Sequence, residues 1–353
     1  MISEKYKSKS KKRNDIKGIG KNNKAGKSKF IIAGVFLVIL VILLVGGKWY
    51  FNKYDTSDYE HIGFFPTTKL KPIWERKIKT SQKIKIGFIT DTHVHPKRIH
   101  RENRADDAPR YLPEKLMAPL IEFQDDMKKF QPDFVAHLGD VIEGTNEKDF
   151  VGVAGIKLVS DELEKIGVPV WFVLGNHDVR AVTKQQFKEA LEINSLNKMI
   201  DVGDYRFIIL DGDFKPTEED TFPKHGYTQG YLPDKVLQWL EPKLQTNKQV
   251  VILMHFAAWP PQLIGTSGIV GNAEKLRAMM NKYNVLAIFN GHIEKKKYAN
   301  IDGTQFFSFT GTKKSEKYKN CFYEVTFQGN DIKATMYYVD PQTGEHKVVD
   351  FKQ

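Results

Sequence analysis

Five short segments of this 353-residue chain carry side chains suited to binding cations, and each directly follows an apolar run. They are Asp91-Thr92-His93, Gly139-Asp140, Gly175-Asn176-His177-Asp178, His255, and Gly291-His292-Ile293-Glu294. One histidine after a strand is usually a hydrogen-bonded core or surface residue. Five such segments are another matter. If the preceding runs are parallel strands, their carboxyl ends meet at one sheet edge, and the carboxylates, imidazoles and amide converge there. Buried without partners, so many polar groups would be costly, and divalent cations remove that cost by accepting their lone pairs. The glycines let the backbone turn sharply after a strand and aim the next side chain inward.

The elements that must position these groups are legible as β-branched and aromatic runs at 84–90, 134–138, 170–174, 207–210, 250–254 and 286–289. Amphipathic segments lie between them. Leu116, Leu120, Phe123, Met127 and Phe130 recur at spacings of four and three, and 233–244 places Leu237, Leu240 and Leu244 on one face. Strands alternating with helices predict an α/β fold with its functional loops at the strands' carboxyl ends. Near the C-terminus, 322–327 and 332–339 flank Gly329-Asn330 and predict a hairpin that adds antiparallel strands.

The order Asp-x-His, Gly-Asp, Gly-Asn-His-Asp, His, Gly-His-x resembles the calcineurin-like metallophosphoesterase superfamily over roughly residues 83–312. The run 208–211, Gly230 and Leu237-Gln238-Trp239-Leu240 further resemble its branch of class III cyclic-nucleotide phosphodiesterases and purple acid phosphatases. The resemblance implies a four-layer α/β/β/α sandwich with two divalent or trivalent metal ions (Mn, Fe or Zn) and hydrolysis of phosphate mono- or diesters by in-line attack of a metal-bridging hydroxide. It implies Asp91 and His93 as ligands of the first metal, Asp140 as the bridging carboxylate, and Asn176, His255 and His292 as ligands of the second. His177 resembles the residue that contacts the phosphate and protonates the leaving oxygen, with Asp178 as its orienting partner. One departure stands out. The family usually ends Gly-His-x-His, and this chain has Glu294 instead. Ligation by Glu294 is the favoured reading; it gives the first metal another hard oxygen donor and favours Mn or Fe. The alternative is a surface protein keeping only a structural metal site, which would have no need of His177.

Other residues near these motifs read more plainly. His95, His100 and His137 match no ligand position and are expected at the surface or behind the ligands. Lys97, Arg98, Arg101, Arg104 and Arg110 form a basic insertion, and Arg180 is a candidate phosphate clamp. The single cysteine, Cys321, excludes a disulfide framework and a cysteine-rich zinc module, and reads as a small buried apolar residue.

The net charge of +11 is concentrated in residues 1–29, where 11 Lys and Arg face only Glu4 and Asp15, a net of +9. The rest is nearly neutral, which disfavours a nuclease or other nucleic-acid partner that needs a basic track. Residues 30–47 are 18 positions without a charged or polar side chain. As a helix at ~1.5 Å per residue they reach about 27 Å, close to a ~30 Å hydrocarbon core. Trp49, Tyr50 and Phe51 follow, as an interfacial belt would. A cleavable signal peptide would have a shorter apolar stretch, a shorter basic region and a small-x-small site. The expected organisation is a cytoplasmic polybasic tail at 1–29 touching anionic lipid through residues 5–29, a membrane-spanning helix at 30–47 and a juxtamembrane linker at 48–82. The catalytic domain, 83–353, is expected outside, on the far side of a cell membrane.

Overall fold

The computed structural model describes residues 83–95, 113–144, 149–220, 229–312 and 317–353, all within the larger of the chain's two compact units, Pro66–Gln353. The expected tail, span and linker lie outside the described residues, as do Lys97, Arg98, His100, Arg101, Arg104 and Arg110. Among the described residues no helix is long and apolar enough to cross a membrane.

In chain order the elements are β1 (Ile84–Ile89), α1 (Pro113–Phe130), β2 (Phe134–His137), α2 (Asp149–Glu164), β3 (Val170–Phe172), α3 (Asp178–Ala181) and α4 (Lys184–Ala190). Next come β4 (Lys198–Val202), β5 (Tyr205–Leu210), α5 (Asp234–Leu244), β6 (Gln249–Met254), α6 (Pro261–Ile264), α7 (Ala273–Lys282) and β7 (Ala287–Asn290). The chain finishes with β8 (Lys297–Ile301), β9 (Thr304–Ser308), β10 (Lys319–Gln328), β11 (Asp331–Val339) and β12 (His346–Asp350). They form two six-stranded sheets, ordered β12-β11-β10-β1-β2-β3 and β4-β5-β6-β7-β9-β8. The runs β1-β2-β3 and β5-β6-β7-β9 are parallel, which aligns their carboxyl ends.

Alternation along each strand builds the layers. In β6, Val251 and Leu253 join the core between the sheets, while Val250, Ile252 and Met254 face the helices α5 and α7. Strand β5 divides the same way, Phe207 and Ile209 inward against Ile208 and Leu210 outward. On the first sheet, Ile84, Ile86 and Phe88 enter the inter-sheet core, and Phe88 stacks on Phe289 at 5.0 Å. Its other face meets α1, where Gly87 matters: a Cβ there would collide with the Met127 side chain. Gln124 of α1 donates to the Glu162 carbonyl at 2.9 Å and ties α1 to α2.

The six expected strands are β1, β2, β3, β5, β6 and β7, and the expected tail hairpin is β10–β11. Four strands were not expected: β4, β8, β9 and β12. β4, β8 and β12 are sheet edges of five residues each, their short apolar stretches interrupted by lysine, asparagine or aspartate, so they read as loops. The sequence between β7 and β10 therefore holds a second hairpin turning at Asp302-Gly303, with Asp302 at φ +51° and Gly303 at φ +86°.

Candidate metal centre

The loops after β1, β2, β3, β6 and β7 come together across the ends of both sheets, and their backbone is unusual. Asp91, His93, Asp140, His292 and Glu294 all have φ between +44° and +63°. Non-glycine residues adopt this left-handed region at a cost, and such residues cluster where surroundings force a functional geometry. The forcing groups are visible. Asp91 N–H donates to the Gly139 carbonyl at 3.0 Å, and His93 N–H to the Asp140 carbonyl at 3.1 Å. His292 N–H points at the Asp91 carboxylate, 3.2 and 3.3 Å from its two oxygens. Gly291 has to be glycine, because a Cβ would collide with Thr90 and Asp91. Below the site, Tyr323 Oη donates to the Thr310 carbonyl and accepts from Thr310 N–H, both at 2.8 Å, which fixes the loop packed under Asp91.

Three overlapping groups of donors result, one of them His93, Asp140 and His177; the other two hold ligands expected from the sequence. In one, His93 Nε2 faces Glu294 Oε1 at 3.4 Å, Asp140 Oδ2 at 3.7 Å and Asp91 Oδ1 at 3.9 Å. In the other, His255 Nε2 lies 3.1 Å from Asn176 Oδ1 and 3.3 Å from Asp140 Oδ1, with the His292 ring 4.9 Å from the His255 ring. The ligand atoms of Asp91, His93 and Glu294 lie within 4.8 Å of one another, as do those of Asp140, His255 and His292. The second group makes the chemistry plain. His255 Nδ1 donates to the Leu138 carbonyl at 2.8 Å, so in the neutral ring Nε2 is a lone pair facing two oxygen acceptors. Three acceptors this close together suit a cation. Asn176 Nδ2 and both ring nitrogens of His93 are buried without a well-formed hydrogen bond, which also fits a donor set built for metal.

Electrostatics repeat the message. Burial lowers the His93 imidazolium, but Glu143, Glu294, Asp140 and Asp91 outweigh it and raise its pKa to about 11. Burial likewise opposes charge on His255, and Asp140 with other carboxylates raises it to about 10. Asp140 is driven up by burial but held well below the carboxylate range by His255 and its neighbours. Burial raises Asp91 to about 6 and lowers His292 to about 3. The surrounding carboxylates thus favour positive charge at His93 and His255.

The structure brings together all nine residues singled out from sequence, but it changes one role. Asp178 does not orient His177. Its buried carboxylate accepts from Ile142 N–H at 3.1 Å and Gly175 N–H at 3.0 Å, and so braces the loops carrying Asp140 and Asn176. The ring of His177 is oriented by Glu143, whose carbonyl lies 2.7 Å from His177 Nδ1. Glu143 was missed in the sequence. Its carboxylate also lies 3.1 Å from His93 Nδ1, behind the first donor group. The available signal was two acids three positions apart in Gly139-Asp140-Val141-Ile142-Glu143-Gly144, bracketed by glycines. His137, left without a role, is fully buried, and burial lowers it to about 3. It accepts from Gly139 N–H at 3.2 Å and donates to Thr92 at 3.0 Å, shaping the turn before Asp140. His95 is 4.0 Å from Glu143, Arg180 approaches His177 Nδ1 at 3.3 Å, and Cys321 is buried in the core.

Residues 84–295 match the family model described as Calcineurin-like phosphoesterase. The chain belongs to that family. A protein of Arcobacter nitrofigilis named "Probable glycerophosphodiester phosphodiesterase GpdQ" is 28% identical over 219 residues, 59% of this chain and 70% of that one. A "Manganese-dependent ADP-ribose/CDP-alcohol diphosphatase" of Arabidopsis thaliana is 24% identical over 206 residues, 47% of this chain and 66% of that one. The crystal structure of a dimetal phosphatase from Danio rerio shares the fold at a TM-score of 0.57 with 16% identity, covering 76% of this chain and 99% of that one. As a family member with these donor groups, the chain is a metal-dependent phosphoester hydrolase.

Proposed function

We propose that the chain hydrolyses phosphate esters, diesters and diphosphates foremost, with Asp91, His93 and Glu294 holding one cation, Asn176, His255 and His292 the other, and Asp140 between them. The observation that carries this reading is the position of Asp140, whose Oδ1 faces His255 at 3.3 Å while Oδ2 faces His93 at 3.7 Å. The names of the relatives, a phosphodiesterase and a diphosphatase, support the substrate class. Bound there, two cations such as Mn or Fe supply an acidified water and neutralise phosphoryl charge. This chain's own residues orient the reaction. His177 N–H donates to Asp140 Oδ1 at 2.8 Å, which fixes the base of the side chain. Its Nδ1–H is held by the Glu143 carbonyl, leaving Nε2 to carry a proton to the leaving oxygen.

Asp140→Asn keeps the shape and removes the shared charge, so it should lose at least one ion and nearly all activity with the fold retained. Full metal content by elemental analysis, with activity within a few-fold of wild type, would refute the assignment. His177→Asn should keep both ions while lowering turnover ~10²–10⁴-fold for poor leaving groups. Nitrophenyl esters, whose leaving group needs little protonation, should suffer less.

The reading extends to topology. Residues 1–29, strongly basic, and the apolar run 30–47 support a single-span anchor with the tail in the cytoplasm beside anionic lipid and the hydrolase domain outside. Protease added to intact cells should then digest the domain and spare the tail. Protection of the domain in accessible membranes overturns the topology without touching the chemistry.

A further inference from the structure

The donor groups supply only part of the lining of a cleft of about 370 Å³. Asp140, Asn176, His177, His292 and Glu294 line it together with Ser267, Gly268, Ile293 and Lys295. Lys295 opens a run of three lysines, and the structure separates it from the other two. Lys296 Nζ sits over the Phe351 ring at 5.6 Å, and Lys297 Nζ donates to the Leu263 carbonyl at 3.2 Å. Lys295 has no carboxylate partner among the described residues, although Glu294 next to it is engaged with His93. It lines the cleft beside the donor groups, in a run whose other members are engaged elsewhere.

The wall around Lys295 is built rather than loose. Lys297 ties α6 to β8, and the loop after α6 returns to pair Ala257 with Ile269 beside His255. Gly268 (φ +80°) packs so closely that a Cβ would lie 2.5 Å from Ile293 and 3.1 Å from the His292 ring. This close approach fixes the loop that carries Ser267 against the Ile293 and His292 side chains, and Ser267 and Lys295 line the same cleft as His177. A cationic group that lines the cleft but stands outside the donor set suits an anion of the substrate other than the phosphoryl group being attacked.

We propose that Lys295, with Ser267, forms a second anion subsite that selects substrates whose leaving group carries its own negative charge, namely diphosphate diesters such as nucleoside diphosphate sugars. This rests on the phosphoesterase reading above. In the reaction, the oxygen of water joins the attacked phosphorus and the bond from that phosphorus to the bridging oxygen breaks. The bridging oxygen leaves on the second phosphoryl group, and the products are two phosphomonoesters with the two protons of water shared between them. The subsite would hold the second phosphoryl group before and after cleavage.

The test compares ADP-ribose, a diphosphate, with the p-nitrophenyl ester of thymidine 5′-monophosphate, whose leaving group carries no second phosphate, in Mn-loaded full-length protein. Lys295→Met should lower kcat/KM for ADP-ribose ~10–100-fold more than for the nitrophenyl ester, mostly through KM, as expected for losing a charged hydrogen bond. Lys295→Arg should recover most of that difference. Binding of adenosine 5′-diphosphate, followed by calorimetry, should weaken in parallel in Lys295→Met. Equal losses on both substrates, or no loss on ADP-ribose, overturn the subsite. So does a wild type that cleaves the nitrophenyl ester but no diphosphate, and that result leaves the phosphoesterase reading standing. Unchanged circular dichroism confirms that the exposed lysine has not been replaced at the expense of folding. A folded, metal-loaded wild type that cleaves neither ester overturns the phosphoesterase reading and the subsite with it.

Discussion

Asp178 offers the sharpest separation between bracing a site and taking part in it. Its side chain is fully buried, and its two oxygens accept from the N–H groups of Ile142 and Gly175. Asp178→Ala leaves both donors buried without an acceptor, at ~1–3 kcal/mol each, or ~2–6 kcal/mol together. At ~2–4 °C per kcal/mol for a domain of this size, the melting temperature should fall by ~4–24 °C. Asp178→Asn should show a smaller drop, since its one oxygen serves one N–H and its amide confronts the other. The loops so released carry Asp140 and Asn176, so metal content at fixed free Mn should fall as well. Turnover per loaded site should change equally for good and poor leaving groups, because the Glu143 carbonyl, not Asp178, holds His177. Scanning calorimetry of loaded and metal-free protein, paired with a leaving-group series, reads all of this. A melting temperature within a degree or two of wild type, with losses confined to poor leaving groups, would show that Asp178 acts through His177 and refute the argument.

Glu294→Ala should reduce bound metal by about one ion per chain in dialysed protein while Glu294→His retains it; two retained ions and full activity in the alanine variant would remove Glu294 from the donor set. Glu143→Ala should weaken metal affinity or activity ~10–100-fold by freeing His93 Nδ1, with Glu143→Gln intermediate, and an unchanged affinity by titration counts against that role. Metal uptake should release protons. His93 at about 11 and His255 at about 10 lie above the ordinary value of 6.5, so their contribution to metal-free stability is full below pH 6.5 and lost as pH rises through 10–11. A cation must displace those protons, so apparent affinity should rise from pH 6 to 9, and calorimetry at pH 7 should show heats that depend on the buffer's ionisation enthalpy. Heats and affinities independent of buffer and pH would contradict the two imidazole environments.

Donor identity was legible in the sequence because each apolar run ends where its polar group begins, and parallel strands turn that local fact into a shared edge. The roles of Asp178 and Glu143 were not legible, for a common reason. Asp178 is defined by the amide of Ile142, 36 positions earlier, and Glu143 by the rings of His93 and His177. Those partners exist only once two loops have packed. Which strands share a sheet was equally invisible locally. β1 lies between β2 and β10, and the register that pairs Ile86 with Val325 is decided by long-range packing, not by anything within either strand. The edge strands escaped notice because their polar residues satisfy solvent rather than a core.

The hydrogen bond from His292 to Asp91 spans 201 positions of chain. During synthesis, Asp91, His93 and Asp140 emerge long before β6 and β7 exist to deliver His255 and His292. Until then the early donors belong to an unfinished sheet, with no backbone amide to hold Asp91 and no second wall to exclude water. The complete donor set is therefore among the last features of the fold to form.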